Sequence, residues 1–265
     1  MRTSWRPPPI GRSEAAWSQC RGGRTIGVVE FERARGSSTT VERSNHLATK
    51  RDTWLTFRTS SSGRVIVPVV AALVAARLLV GDWGRGDLVA ALAIGVLVGP
   101  VEWVIHLHLL HASPDSWTSR KLGTGAGHRE HHLDPPELQW LLLRGVDVVV
   151  FLVLLAAATA MWAPLLVWLI GGSVLPASLM AFTVTAAALA HYEWTHLLVH
   201  TTYRPRTRYY ARLARNHRRH HYRNERYWLG VTSNLGDRLL RTYPAAGADV
   251  ALSGTARTLG DPPLD

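Results

Sequence analysis

Residues 146–170 read "VDVVVFLVLLAAATAMWAPLLVWLI". Asp147 is the only charged residue in the run, and no polar stripe recurs at helical spacing. A surface helix of a soluble bundle carries such a stripe. A run that is apolar all round suits hydrocarbon, whose core of roughly 30 Å takes about 20 helical residues. The segment therefore predicts a membrane-spanning helix. Val65–Val80 ("VIVPVVAALVAARLLV") and Leu88–Ile105 ("LVAALAIGVLVGPVEWVI") repeat the pattern upstream, and Ser173–Ala190 ("SVLPASLMAFTVTAAALA") resumes it after Gly171 and Gly172. The expected fold class is all-α: a four-helix transmembrane bundle built from two hairpins, with a helical cap.

The links 81–87 and 171–172 are short, so spans one and two form a hairpin and spans three and four another. Residues 1–64, 106–145 and 191–265 then share the opposite membrane face. Of 30 Lys and Arg, only Arg77 and Arg85 lie outside those segments, and the positive-inside rule assigns that face, with both termini, to the cytoplasm. Arginine dominates, Lys50 and Lys121 being the only lysines, as GC-rich coding produces; this points to a bacterial cell membrane. The polar, Arg- and Ser-rich stretch 1–64 has no apolar signal core and reads as a disordered basic tail. A membrane-embedded domain over 65–243 and a flexible tail over 244–265 complete the expected organisation. The net charge of +11 suits nucleic acid or an anionic membrane. The basic run "TTYRPRTRYYARLARNHRR" (201–219) follows a membrane exit, which favours lipid head groups and excludes nucleic acid as partner. Tyr209, Tyr210, Tyr222, Tyr227 and Trp228 suit interfacial anchoring. Cys20 is the only cysteine, so neither a disulfide framework nor a thiolate metal site is available.

Twelve of the 13 histidines fall between 106 and 221; His46 stands alone. They form "EWVIHLHLLH" (102–111), "HREHH" (128–132), "HYEWTHLLVH" (191–200) and "HRRHH" (217–221). On a helix, positions i, i+3 and i+4 share a face. His128, His131 and His132 can therefore converge, as can His217, His220 and His221, while His196 and His200 make an i, i+4 pair. Single histidines of this kind can be solvated, and small groups can sense protons. So many rings packed together would repel on protonation, whereas a divalent metal favours the neutral ring that binds it. With about four to six ligands per ion, the number of rings suggests two metals, and imidazole suits Fe, Zn, Cu or Ni. On a regular helix His106 and His111 lie about 140° apart, and His108 is the closer companion of His111.

The series Glu102-Trp-x-x-His106-x4-His111, His128-x-x-His131-His132, His196-x3-His200 and His217-x-x-His220-His221 resembles the fatty acid hydroxylase/sterol desaturase superfamily of integral-membrane di-iron enzymes. The stretch 220–243, with Asn224, Gly230 to Ser233 and Asp237, looks most like its fatty acid 2-hydroxylase branch, as does "YEWTHLLVH" (192–200). The chain departs from the family at Leu107, where Arg is usual, and at Arg241, where Gly is usual. The resemblance implies two Fe ions held by His106, His111, His128, His131, His132, His196, His200, His217, His220 and His221, with Zn as a substitute in preparations. It prefers His106 to His108. His108 and His191 are left as further ligands or as neighbours of the ligands, and Glu102, Glu193 and Asp237 either accept ligand N–H groups or pair with nearby arginines. It implies O2 activation and hydroxylation of a lipid acyl chain in lipid biosynthesis. No nucleotide fingerprint or iron–sulfur motif is present, so a separate ferredoxin- or cytochrome-type protein is the expected electron donor. Sterol or carotenoid hydroxylation or desaturation on the same site is the sibling reading. A metal transporter is a third, disfavoured because the apolar runs 65–105 and 146–190 carry no histidine.

Overall fold

A computed structural model describes residues 42–244 and 246–259. Its helices are α1 (Lys50–Thr59), α2 (Ser61–Val80), α3 (Arg85–Ile105), α4 (Trp117–Leu122), α5 (Ala126–Leu133), α6 (Leu138–Leu141), α7 (Gly145–Leu169), α8 (Val174–Val199), α9 (Arg208–Tyr222) and α10 (Leu235–Leu239). Among the described residues there is no strand, only an isolated bridge between Arg43 and Glu137. The fold is all-α, and four of its helices are long and apolar enough to cross a membrane. Their outward faces expose Leu79, Leu88, Val96, Val153, Met161 and Trp168. Contiguous apolar surface of this kind belongs against lipid.

α8 is the central pillar, and α2, α3 and α7 all pack on it more than on one another. The two spans of the first hairpin therefore straddle α8. Small residues let it serve three neighbours, because Ala177, Ala181 and Ala186 are buried and bring backbones close. Ala181 packs with Ala90, Ile94 and Ala163, and Leu189 packs with Ile66 and Val148. α8 also runs on to Val199, past the apolar limit at Ala190, and its added turns carry His196.

The tail expected over 1–64 lies outside the described residues for 1–41, but 42–64 is structured. Ser44 donates to the His200 carbonyl (2.9 Å), and Arg43 pairs with Asp134 (2.7 Å). Thr49 caps α1 by accepting from the Asp52 N–H (3.1 Å), and Phe57 buries itself beside Leu47, Leu141 and Leu197. A ten-residue helix with two aromatics gives too little periodicity to be read from the sequence.

The first hairpin is pinned at the end remote from the histidines. Arg77 donates to Asp87 through Nε (2.7 Å) and Nη2 (2.6 Å), its Nη1 donates to the Gly81 carbonyl (2.5 Å), and its guanidinium lies 3.8 Å from the Trp83 ring centre. Asp87 also accepts from the Gly84 N–H (2.9 Å). Both side chains are buried, so removing one partner strands a charge. Asp87→Ala is expected to destabilise the protein by about 3–5 kcal/mol, and adding Arg77→Met to recover most of that loss. Thermal unfolding of the three proteins in one detergent checks both outcomes.

Candidate metal centre

The ends of α3 and α8 meet α5 and α9 on one side of the bundle. There ten imidazoles gather into two groups. His106, His111, His128, His132 and His220 form the first, and His131, His196, His200, His217 and His221 the second; within each group one nitrogen per ring lies within 4.8 Å of all the others. Neighbouring residues on one helix serve different groups. α5 sends His128 and His132 to the first and His131 to the second, and α9 sends His220 to the first and His217 and His221 to the second. The groups touch where the His132 and His221 rings approach to 4.1 Å between centres.

A break in helical regularity brings the first box into register. Residues His106–Leu110 form a π-helical turn, in which the His111 N–H donates to the His106 carbonyl (3.0 Å). An i→i+5 bond stacks residues five apart. The His106 and His111 rings are consequently 4.8 Å apart, not on opposed faces as a regular helix would have them. His108 points elsewhere, is exposed and rests against Trp103. His191 also lies outside both groups, stacked parallel to Tyr209 (6.3 Å).

Three of the rings set Nδ1 on a backbone carbonyl. His106 Nδ1 meets the Leu229 carbonyl (2.5 Å), His132 Nδ1 that of Ala256 (2.8 Å) and His220 Nδ1 that of Tyr227 (2.9 Å). A carbonyl only accepts, so in each ring Nδ1 carries the proton and Nε2 presents its lone pair. Between the Tyr227 and Leu229 carbonyls, Trp228 takes a left-handed conformation (φ 55°) with its ring fully buried.

The three acids do not bond these rings. Glu102 accepts from the Val231 N–H (2.5 Å), the Thr232 N–H (2.9 Å) and the Thr232 hydroxyl (2.6 Å). Asp237 accepts from the Leu229 N–H (2.9 Å), the Gly230 N–H (2.8 Å) and the Thr242 hydroxyl (2.6 Å). Glu193 accepts from the Leu143 N–H (3.0 Å). None of the three forms an ion pair among the described residues. Glu102 and Asp237 brace the loop whose carbonyls hold His106 and His220, one step further back than the sequence suggests, and Glu193 braces the link between α6 and α7. Glycine makes that bracing possible: a Cβ on Gly230 would meet the Ser233 carbonyl at 1.9 Å, and one on Gly236 the Gly99 carbonyl at 2.5 Å.

The interior keeps these rings neutral. Burial, reinforced by neighbouring imidazoles, holds His111, His128, His131, His200, His217, His220 and His221 well below the ordinary histidine range. Burial likewise pushes His132 down to about 3, against the opposing pull of the Ala256 carbonyl. Several buried nitrogens have no hydrogen-bond partner, including Nε2 of His111, His132, His196 and His220. His217 Nε2 lies 2.7 Å from His200 Nε2 and 3.0 Å from His221 Nε2. Neutral rings with converging lone pairs and few donors among them are a donor set that divalent ions complete.

A cavity of about 360 Å³ runs between α3, α7 and α8 toward the rings. Its walls are largely apolar, from Ile94 and Trp162 at depth to Tyr192 near the centre, and it reaches His128 of the first group and His196 of the second. Sequence reasoning missed Tyr192, although a position four residues before His196 on one helix signals it. It also missed the carbonyls of Tyr227, Leu229 and Ala256, which no side-chain pattern encodes.

The segment after 243, expected to be loose, is in part a fixed component of the site. Val250 and Ala256 are buried, and Arg257 donates to the His132 carbonyl (2.6 Å) and to that of Leu133.

Four long apolar helices and two buried imidazole groups able to hold metal define a membrane protein with a candidate metal centre. Residues 91–242, more than half of the chain, match the family model described as fatty acid hydroxylase, and the chain belongs to that family. Comparison with the curated proteins and with the solved structures gives no match. Membership makes the protein an oxidoreductase of the lipid hydroxylase or desaturase kind, integral to the membrane.

Because the folded-state pKa values lie below the unfolded value, the stability tied to these rings is complete above about pH 6.5. It falls on acidification, as the unfolded chain takes up protons the folded one refuses, by about 1.4 kcal/mol per ring per pH unit. For His132 the loss continues to about pH 3. Protein prepared without metal is expected to unfold steeply between about pH 6 and 4, as circular dichroism across that range will show. Arg241 has φ 61°, a left-handed conformation that favours glycine. Arg241→Gly is expected to stabilise by about 1 kcal/mol, read as a raised thermal midpoint.

Proposed function

We propose that this protein is a di-iron oxygenase that hydroxylates a lipid acyl chain, acting near the carboxyl end as a fatty acid 2-hydroxylase does. The observation that carries this reading is the apolar cavity touching one imidazole from each of two adjacent groups of five. Iron bound by these groups would supply the oxidising power from O2 that the side chains lack.

The chain's own residues do the rest. The walls from Ile94, Leu97 and Val98 on α3 and from Phe151, Leu155 and Trp162 on α7 favour an acyl chain and keep water from it. The cavity extends from the rings toward the middle of the spans. A chain lying in it presents its head-group end to the imidazoles, which supports reaction near the carboxyl. Gln139, Arg144 and Asp147 stand at the polar side of the lining, where a head group can be met. The carbonyls of Leu229, Tyr227 and Ala256 keep His106, His220 and His132 in the ligating tautomer.

The arginines Arg204, Arg206, Arg208, Arg212, Arg215 and Arg218 are exposed, and none pairs with an acid among the described residues. In this reading they face anionic lipid head groups on the cytoplasmic side of a bacterial membrane. Electrons come from a separate ferredoxin- or cytochrome-type protein.

Purified protein is expected to contain about two irons per chain, in line with two five-ring groups. With an added electron-transfer protein, reductant and O2, it should yield a hydroxylated acyl lipid by mass spectrometry, and very little without the carrier. Ala188→Phe, which fills the cavity, is expected to keep the iron and lower turnover roughly tenfold or more. Protein free of any transition metal, or lipids identical with and without the protein, would overturn the reading.

A further inference from the structure

Residues 246–259 cross the outside of the site as a strap, beyond the end of the family match at residue 242. The strap is moored on the turn after α9. Ser253 N–H donates to the Arg223 carbonyl (2.8 Å), Arg223 Nε donates to the Val250 carbonyl (2.7 Å), and the Thr255 and Ser253 hydroxyls donate to Glu225 (2.8 and 3.1 Å). From that mooring it reaches α5. The Ala256 carbonyl accepts from His132 Nδ1 (2.8 Å), and Arg257 donates to the carbonyls of His132 and Leu133, the otherwise unpaired last turn of α5. The Arg257 guanidinium also lies 5.3 Å from the Tyr222 ring centre, at the end of α9. One short segment thus ties together the helices that carry "HREHH" and "HRRHH".

The ties favour one imidazole group. In the first group His106, His132 and His220 each have Nδ1 fixed by a carbonyl, two from the turn 227–229 and the third from the strap. The ring that the strap holds is that of His132, in the first group. We infer that the strap is a positioning device for the first group, acting through His132: Ala256 fixes which nitrogen of His132 presents its lone pair, and Arg257 holds α5 where that carbonyl can reach. Arg257 acts through His132 and touches no reacting atom.

This inference rests on the two-metal reading above, and its test separates the two. Full-length protein stripped of metal is titrated anaerobically with Fe(II), and with Co(II) as a spectroscopic probe, to resolve two binding steps. Arg257→Ala should weaken one step about 10- to 100-fold and leave the other unchanged, with an altered Co(II) spectrum for the weakened site only. Arg257→Lys keeps the charge without the planar fork and should recover part of the loss. Glu225→Gln loosens the mooring without touching His132 and should weaken the same step about fivefold, the equivalent of one hydrogen bond; it serves alone should Arg257→Ala not fold. Both steps weakened alike, or neither, in a protein whose wild type shows two steps overturns the strap's role and leaves the two-metal reading standing. A wild type with no step overturns both.

Discussion

The structure turns on the convergence of uncharged imidazoles in a buried interior. Ten rings from four elements aim their nitrogens at two small volumes, and protonation of even a few would set buried like charges against one another. The requirement that they stay neutral reaches outward in layers. Carbonyls of Leu229, Tyr227 and Ala256 accept hydrogen bonds from ring N–H groups, and Glu102 and Asp237 in turn hold the loop that carries two of those carbonyls. Gly230 lets that loop fold back on Ser233 and Asp237, and Gly236 lets α10 lie close against α3. Each layer is explicable only by the one inside it.

Burial of carboxylates without cations follows from the same logic. Glu102 and Asp237 each accept three hydrogen bonds from backbone N–H and hydroxyl groups, which offsets part of the cost of placing them in an apolar interior. The arginines remain outside, on the exposed face of α9, whose inner face carries His217, His220 and His221. A single amphipathic helix thus separates the charged exterior from the neutral centre.

Much of this was legible in the sequence, for identifiable reasons. The four spans were visible because hydrocarbon demands uninterrupted apolar text, and α7 has nothing else over most of its length. The i, i+3, i+4 spacing placed His128, His131 and His132 on one helix face, although not their division between two groups, which depends on what surrounds α5. The π turn was not legible: nothing in "HLHLL" signals an i→i+5 bond, and a regular helix favoured His108 over His106. Carbonyl acceptors are equally silent, since every residue has one. The strap escaped because its anchors are scattered small and polar residues, held by long-range hydrogen bonds and not by any periodic pattern.

The side walls of the cavity have a kinetic consequence. Leu97, Val101, Val146 and Val150 line it and are also exposed on the outward faces of α3 and α7. In the reading proposed above, an acyl substrate would enter sideways, out of the bilayer itself. Its supply is then counted as molecules per unit area of membrane and not per litre, so dilution with inert lipid would starve the protein while dilution with buffer would leave it fed.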